Sequence, residues 1–367
     1  MKIVIAGGGT AGHVLPALAV ANEIRNRFNH AEIVFIGSKG GADEKLIPAE
    51  NYQIKYLPKA DFPRKINLSA LTFIPRFSTA LIKSLLLLRG ANVAIGFGGY
   101  VATPMYVAAR ILNIPIAIHE ANVIPGLANR VGRKWAKVVA VFNPVSGWKN
   151  QHLIGFPIRK SITNSAKLSG KELLLAKEAA RKELGLTLEG KVLLVMGGSL
   201  GAQKINDAIV EIASTLIENK ISILLLAGTG KSTLAKTIDS ENYLQIPYLT
   251  KMESAYLAAD FVVARGGAGT CAEIEAMGLP AIFIPLSIGN GEQVANAERY
   301  AARGSAKILP NSNLTSDNLL SIILEVNNSF TEFSKVAATN KGNKLSAASD
   351  FVDLIDEEIF HSSKRRI

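Results

Sequence analysis

Short apolar runs alternate with amphipathic stretches along the first 160 residues. The runs IVIA (3–6), EIVFIG (32–37), NVAIGF (92–97), PIAIHE (115–120) and KVVAVF (137–142) are β-branched and apolar at consecutive positions. Strands buried on both faces read this way, so the rhythm predicts βα units around a parallel sheet. The apolar periodicity stops near Gly155-Phe156-Pro157 and a polar stretch runs from Lys160 to Gly190. The rhythm then restarts with KVLLVMG (191–197), SILLLAG (222–228), DFVVAR (260–265) and AIFIPL (281–286). The expectation is an α/β chain of two doubly wound, Rossmann-like domains, residues 1–158 and 159–344, facing across a cleft. In the tail, Leu345, Phe351, Val352, Leu354, Ile355 and Ile359 have helical spacing. They predict a final helix within 345–362 that returns to the N-terminal domain, ahead of a charged SSKRRI run.

Composition narrows the setting. A chain of 367 residues with one cysteine, Cys271, has room for two cores and cannot close an internal disulfide. No paired Cys/His spacing suggests structural zinc, and a reducing cytoplasm fits best. The apolar start is too short for a signal peptide, and the greasiest stretch, Leu81 to Leu88, is broken by Lys83 and Ser84. Neither approaches the roughly 20 residues that span a bilayer. A formal net charge of +11 attracts polyanions, which in a cell are nucleic acid or anionic lipid. No zinc finger, RNA-binding signature or aromatic-basic platform is present, so nucleic acid is not an expected partner.

Between Arg64 and Arg89, apolar Leu71, Phe73, Ile74, Phe77, Leu81 and Leu85 mix with Arg76 and Lys83. Arg130, Arg133, Lys134, Trp135 and Lys137 form a second basic cluster with an aromatic anchor. An interfacial, anionic-lipid-binding surface has this character; so does core packing beneath a solvated basic face.

Three glycine turns follow apparent strands: Gly7-Gly8-Gly9-Thr10-Ala11-Gly12-His13, Gly197-Gly198-Ser199-Leu200-Gly201-Ala202 and Arg265-Gly266-Gly267-Ala268-Gly269-Thr270. The first is formally G-x-G-x-x-G, yet Ile36-Gly37-Ser38-Lys39 lacks the carboxylate a dinucleotide ribose needs, which argues against an NAD(P)-dependent oxidoreductase. Gly228-Thr229-Gly230-Lys231-Ser232 is not a P-loop, because Leu225 stands where its first glycine belongs. Three turns at the carboxyl ends of parallel strands suit a phosphorylated ligand. Glycine also simply permits tight turns. There is no Asp-x-Asp pair, so no metal is expected, and a leaving diphosphate would rely on N–H groups, helix dipoles and arginine.

Taken together, GGGTAGHVLPALAVA (7–21), GFGGYVATP (96–104), HEANVIPGLANR (119–130), GFPIR (155–159), GGSLGAQ (197–203) and RGGAGTCAEIEAMGLPAIFIP (265–285) resemble the MurG family over residues 1 to about 300. These are the peptidoglycan N-acetylglucosaminyltransferases. The resemblance implies a GT-B architecture and transfer of N-acetylglucosamine from UDP-N-acetylglucosamine to the 4-hydroxyl of undecaprenyl-pyrophosphoryl-N-acetylmuramoyl-pentapeptide (lipid I to lipid II). Transfer would invert the anomeric carbon, use no cofactor and occur at the cytoplasmic face of the membrane. Other cell-wall synthesis proteins would be partners.

Such chemistry needs a base, for which His13 is the leading candidate; it could instead cap the helix or orient acceptor pyrophosphate. By motif matching, Gly9, Thr10, Gly99 and Tyr100 would meet the acceptor and its diphosphate. Thr10, Ala11, Gly12, His13, Asn122, Arg159, Ser199, Leu249, Ala268, Gly269, Thr270, Glu273, Gln293 and Asn296 would meet the donor. Among these, Glu273 is expected on the ribose hydroxyls and Leu249 on uracil through its backbone. The amides of Asn122, Gln293 and Asn296 are expected on the sugar. Arg159 could equally be a hinge salt bridge. Phe73, Ile74, Phe77, Leu81, Lys83, Arg133, Lys134 and Trp135 would face the membrane. Ala11 departs from the usual family glycine, and IGNGEQVANA (288–297) lacks the basic residues often found before the glutamine, which leaves the detailed acceptor or sugar contacts open but not the reaction class. A UDP-sugar epimerase and a non-catalytic membrane adaptor are the remaining rival readings.

Overall fold

A computed structural model describes residues 1–60, 68–198, 201–229, 240–287, 290–342 and 344–361. The chain forms two compact units, Met1–Arg159 with Lys344–Ile367 and Lys160–Asn343. In the first unit seven strands occur in sequence: β1 (Lys2–Ala6), β2 (Glu32–Gly37), β3 (Gln53–Tyr56), β4 (Val93–Gly96), β5 (Ile116–Glu120), β6 (Val138–Val141) and β7 (His152–Leu153). They pair in the order β3-β2-β1-β4-β5-β6-β7. The second unit has β8 (Lys191–Met196), β9 (Ile221–Leu226), β10 (Tyr243–Ile246), β11 (Phe261–Ala264), β12 (Ala281–Phe283) and β13 (Ala306–Ile308), ordered β10-β9-β8-β11-β12-β13. Every pairing is parallel.

Each apolar run picked out from the sequence lies on an interior strand. Those strands carry helices on both faces and so need side chains that are apolar at every position. The four strands the runs did not show, β3 (QIKY), β7 (HL), β10 (YLQI) and β13 (AKI), are the four sheet edges. An edge strand is only partly covered and tolerates polar residues, so its apolar signal is weak.

In the first unit one face of the sheet is closed by the helix Ala11–Arg27, whose Val14, Ala17, Leu18, Ala21 and Ile24 pack with Ile3 and Ile5. Phe351, Val352 and Ile355 of the helix Ala347–Ile355, with Ile359 beyond it, join the same core. The C-terminal helix thus returns to the N-terminal domain. The other face receives Met105 and Tyr106 of the helix Ala102–Ile111, and Ala80 and Leu88 of the helix Leu68–Leu88, against Val4 and Ala6. Each fully buried Val, Leu, Ile, Phe or Met side chain among them contributes about 1.5–3 kcal/mol of transfer free energy.

The polar stretch after Lys160 folds as two helices, Lys160–Lys167 and Gly170–Leu184. Most of its lysines and glutamates face solvent, and one arginine is buried. Arg181 donates to the Ala258, Leu188 and Gly190 carbonyls and to the Asp260 carboxylate at 2.6 Å, which ties the helix to β8 and β11 by charge rather than by apolar area.

In both sheets the strand order reverses beside the first strand, at β1/β4 and at β8/β11. In the first unit the helices following β1 and β4 pack on opposite faces. Their loops diverge and leave a crevice at the carboxyl ends of the strands, where doubly wound sheets bind ligands. The loops after β1, β4, β8 and β11 are glycine-rich.

Candidate functional site

In the first unit, the loop after β1 lies against the loop after β4. Gly98 and Gly99 have φ of +92° and +80°, a left-handed pair that any side chain would strain. A Cβ on Gly99 would stand 2.6 Å from the Gly8 carbonyl oxygen, so the two loops approach as closely as backbones can. Gly98 is flanked by the His13 ring and the Asn129 amide, which a Cβ there would meet at 3.3 and 3.5 Å.

His13 lies in the first turn of the helix Ala11–Arg27, half-buried, with Nδ1 3.3 Å from Thr10 Oγ1. In the tautomer whose Nδ1–H donates to Thr10, Nε2 carries the lone pair that a base requires. Thr10 is the N-cap residue in extended conformation, but its side chain makes no capping bond to the helix. Ala11 and Gly12 open that helix, where N–H groups have no intrahelical acceptor and are suited to an anion. Gly9 departs from expectation. Its N–H donates to Asp43 Oδ1 at 3.3 Å and its carbonyl accepts from the Ala42 N–H, so its backbone braces the turn instead of offering a donor to a diphosphate.

Tyr100 packs its ring beside Gly9, and its phenol meets the Ser38 hydroxyl. Behind them Glu120, 2% exposed, ends β5. One of its oxygens accepts from the Asn122 backbone N–H (2.9 Å) and side-chain amide (3.3 Å). The other accepts from the Gly126 N–H (3.1 Å) and the Asn129 amide (3.0 Å). Burial still outweighs these four bonds and raises its pKa. The Asn122 side chain, expected on the sugar, here donates to Glu120 and shapes the loop. Asn129 and Tyr106 complete the network at 2.8 Å. Only the motif HEANVIPGLANR pointed to this cluster, and Asn129, an ordinary helical residue by pattern, gave no separate signal.

His119 is 1% exposed, surrounded by Phe97, Phe156 and Phe351, with Nε2 donating to the Gly155 carbonyl at 2.8 Å. Burial pulls its pKa down to about 4, so it is neutral at physiological pH. Arg159 is the last residue of the first unit before the chain crosses to the second.

In the second unit, the turns after β8 and β11 are set by backbone contact. A Cβ on Gly201 would stand 2.1 Å from the Ala227 carbonyl oxygen, and one on Gly266 would stand 2.3 Å from that of Gln293. Ser199 lies outside the described residues. Gly267 caps the helix Ala268–Met277, whose first turn presents Ala268, Gly269 and Thr270. One turn further, Glu273 is 7% exposed, and its Oε2 accepts from the Tyr256 hydroxyl at 2.9 Å. That bond orients the carboxylate three positions from Thr270, on the same helix face. Leu249 is in the loop after β10.

Gln293 and Asn296, both expected on sugar hydroxyls, also hold backbone. Gln293 Oε1 accepts from the Leu286 N–H at 3.1 Å, and the Asn296 amide, 3% exposed, donates to the Gly266 carbonyl at 3.2 Å. Asn296 is therefore a brace of the third glycine turn. Cys271 is 1% exposed and burial pushes its thiol pKa up, which removes it as a nucleophile. Among the described residues, no group of three or more His, Cys, Asp or Glu could hold a metal ion.

On the helix Leu68–Leu88 the apolar positions divide. Phe73 and Phe77 stack at 5.5 Å and Ile74 is 70% exposed, but Leu81, expected outward, packs against the core with Leu85. Ile82 and Leu86 face outward in its place, as Ile74 does, with Lys83 exposed between them. Arg133 stacks over Trp148 at 5.2 Å, while Lys134 and Trp135 are exposed. No helix among the described residues is long and apolar enough to cross a membrane.

Comparison with known proteins identifies the family. The model of the glycosyltransferase family 28 N-terminal domain matches residues 3–141, and that of the family 28 C-terminal domain matches residues 192–355. A relative from Thermobifida fusca (strain YX), named UDP-N-acetylglucosamine--N-acetylmuramyl-(pentapeptide) pyrophosphoryl-undecaprenol N-acetylglucosamine transferase, is 40% identical over 321 residues, 86% of this chain and 83% of its own. One of the same name from Paenarthrobacter aurescens (strain TC1) is 40% identical over 329 residues, 88% and 87% of the two chains. The crystal structure of Acinetobacter baumannii MurG superposes with a TM-score of 0.74 at 26% identity, covering 97% of this chain and 99% of that one. A UDP-GlcNAc 2-epimerase from Neisseria meningitidis shares the fold alone, with a TM-score of 0.66 at 13% identity, covering 97% and 100%. Two turns at strand-order reversals, a histidine at one and a tyrosine-held glutamate at the other, thus stand in a chain that belongs to glycosyltransferase family 28 and, within it, to the MurG family.

Proposed function

We propose that this chain transfers N-acetylglucosamine from UDP-N-acetylglucosamine to the 4-hydroxyl of undecaprenyl-pyrophosphoryl-N-acetylmuramoyl-pentapeptide, with inversion and release of UDP. The second unit binds the donor, and the first binds the acceptor. The observation that carries the reading is Glu273, buried, oriented by Tyr256 and one turn inside a helix that begins at a strand-order reversal. A carboxylate so placed can accept from both hydroxyls of a ribose while the start of the helix faces its diphosphate.

In this reading His13 Nε2 takes the proton of the attacking hydroxyl and Thr10 orients the ring through Nδ1. The new bond joins the acceptor oxygen to the anomeric carbon, and the electrons of the breaking carbon–oxygen bond leave with UDP. N–H groups at the helix starts stabilise the charge that develops there. The test is incubation with UDP-N-acetylglucosamine and a lipid I analogue. UDP should appear only when acceptor is present; a change in the nucleotide sugar without acceptor would favour the epimerase.

The exposed Ile74, Ile82 and Leu86, with Lys83 among them and Lys134 and Trp135 in the same unit, support a peripheral position at the cytoplasmic face of the membrane. Vesicles with anionic lipid should bind the protein in a salt-sensitive way. Equal binding to neutral vesicles counts against the idea.

A further inference from the structure

Asp43 is a fully buried carboxylate, 0% exposed, that no part of the reaction above uses. It is the first residue of the helix Asp43–Ala49, yet it does not cap that helix. Its Oδ2 accepts from the Ser38 N–H at 2.5 Å, and its Oδ1 accepts from the Gly9 N–H at 3.3 Å, 34 positions away. Among the described residues no lysine or arginine pairs with it. A buried carboxylate without a cation depends on the N–H groups aimed at it, so these two bonds are the reason it can be there.

The surroundings of Asp43 are built to admit it. A Cβ on Gly37 or on Gly41 would fall within 2.4 Å of its oxygens, and one on Gly8 would come within 3.0 Å. Glycines on three sides let the carboxylate reach the turn. The turn is then held at both peptide groups of Gly9: the N–H by Asp43, and the carbonyl by the Ala42 N–H at 3.3 Å. Gly9 has φ of +98°, a conformation a free chain leaves readily, and Thr10 and the His13 helix follow directly. Ser38, held at its N–H by Asp43, presents its hydroxyl to Tyr100, whose ring packs on Gly9 from the other side.

We propose that Asp43 is a positioning residue for transfer: it fixes the first glycine turn and, through that turn, the place and tilt of the His13 imidazole. This rests on the reading of His13 as the base. A carboxylate is required because one side chain must accept two N–H bonds that diverge. An amide of the same shape accepts one and turns an NH2 group toward the other donor.

The test is Asp43→Asn in the acceptor-dependent transfer assay, with UDP affinity measured separately by calorimetry. The expected result is a fall of at least about tenfold in kcat, with UDP affinity unchanged and faster hydrogen exchange in residues 7–14. Asp43→Glu, which keeps both acceptor oxygens, should recover part of the loss. Unchanged kcat in Asp43→Asn overturns the proposal, as does a loss of UDP affinity that matches the loss of turnover. If Asp43→Asn does not fold, hydrogen exchange of the wild-type protein decides. Gly9 and Ser38 amides protected like those of β1 support the proposal, and exchange at the rate of an open loop overturns it. Wild-type protein that does not transfer to the lipid I analogue would sink the functional reading itself, which distinguishes the two failures.

Discussion

The glycine turn of the first unit and those of the second are built differently, although their one-letter patterns look alike. In the turn after β1, side chains are added to backbone contact with Gly99 and Ala42: Asp43 takes the Gly9 N–H, Tyr100 packs on Gly9, and Thr10 meets His13. Close backbone contact dominates the turns after β8 and β11, with Gly201 on the Ala227 carbonyl and Gly266 on that of Gln293, and in the second of these the Asn296 amide adds one bond to the Gly266 carbonyl. A turn closed by its own backbone presents N–H groups and a helix start to whatever anion arrives. A turn held by side chains fixes one group, here an imidazole, at one angle. The first design suits a ligand recognised by charge and the second suits proton transfer, where a small displacement of the base costs rate.

Four substitutions or conditions break or sharpen that contrast. His13→Ala should lower kcat by about 10²–10⁴-fold, as loss of a general base does, and leave UDP affinity unchanged. Near-normal turnover would remove His13 as the base and with it the special status of the first turn.

Acid should act on the first unit through His119. The unfolded chain takes up a proton near the ordinary 6.5, whereas the folded protein resists until about 4. The contribution of His119 is therefore complete above 6.5 and falls by up to about 3 kcal/mol as the pH drops toward 4. Glu120, whose pKa burial raises, works in the reverse sense and loses stability as pH rises above its ordinary 4.5. Urea unfolding at several pH values should show the acid limb in wild-type protein and not in His119→Gln.

Glu273→Gln weakens charge-assisted bonds of about 1.5–3 kcal/mol and should reduce UDP affinity roughly 10–100-fold, with a smaller effect on kcat. A 2′-deoxyribose analogue of UDP should lose less affinity on this substitution than UDP does. Equal losses would place the carboxylate elsewhere.

Gly201→Ala, with φ at +68° and a carbonyl 2.1 Å from the new methyl, should cost about 1–3 kcal/mol. Calorimetry should report a lower Tm for the second unit, with kcat at saturating donor little altered.

How much of the molecule was legible in advance follows from how local each signal is. The interior strands β1, β2, β4, β5, β6, β8, β9, β11 and β12 were each visible as apolar runs, because burial on both faces leaves no choice of residue. The edges β3, β7, β10 and β13 were not, since QIKY or AKI carries no such constraint. Glu273 and His13 were legible because their motifs place them at fixed steps from glycine turns. Asn129, Tyr256 and Asp43 were not: each acts through a partner 9 to 34 positions away, and nothing in its own neighbourhood records the contact. Asn296 was named for a sugar on the strength of its amide, and only the fold showed that amide turned to Gly266.

Strand character, the two Rossmann-like cores and the glycine turns at strand ends were written in the sequence itself, because they depend on apolar period and on residues without a Cβ, both properties of short segments. Which buried polar side chain steadies which turn was decided only by tertiary structure. A hydrogen bond between Asp43 and Gly9, or between Tyr256 and Glu273, exists only after separate elements have packed. Its energy depends on the absence of competing water, a condition the unfolded chain never meets.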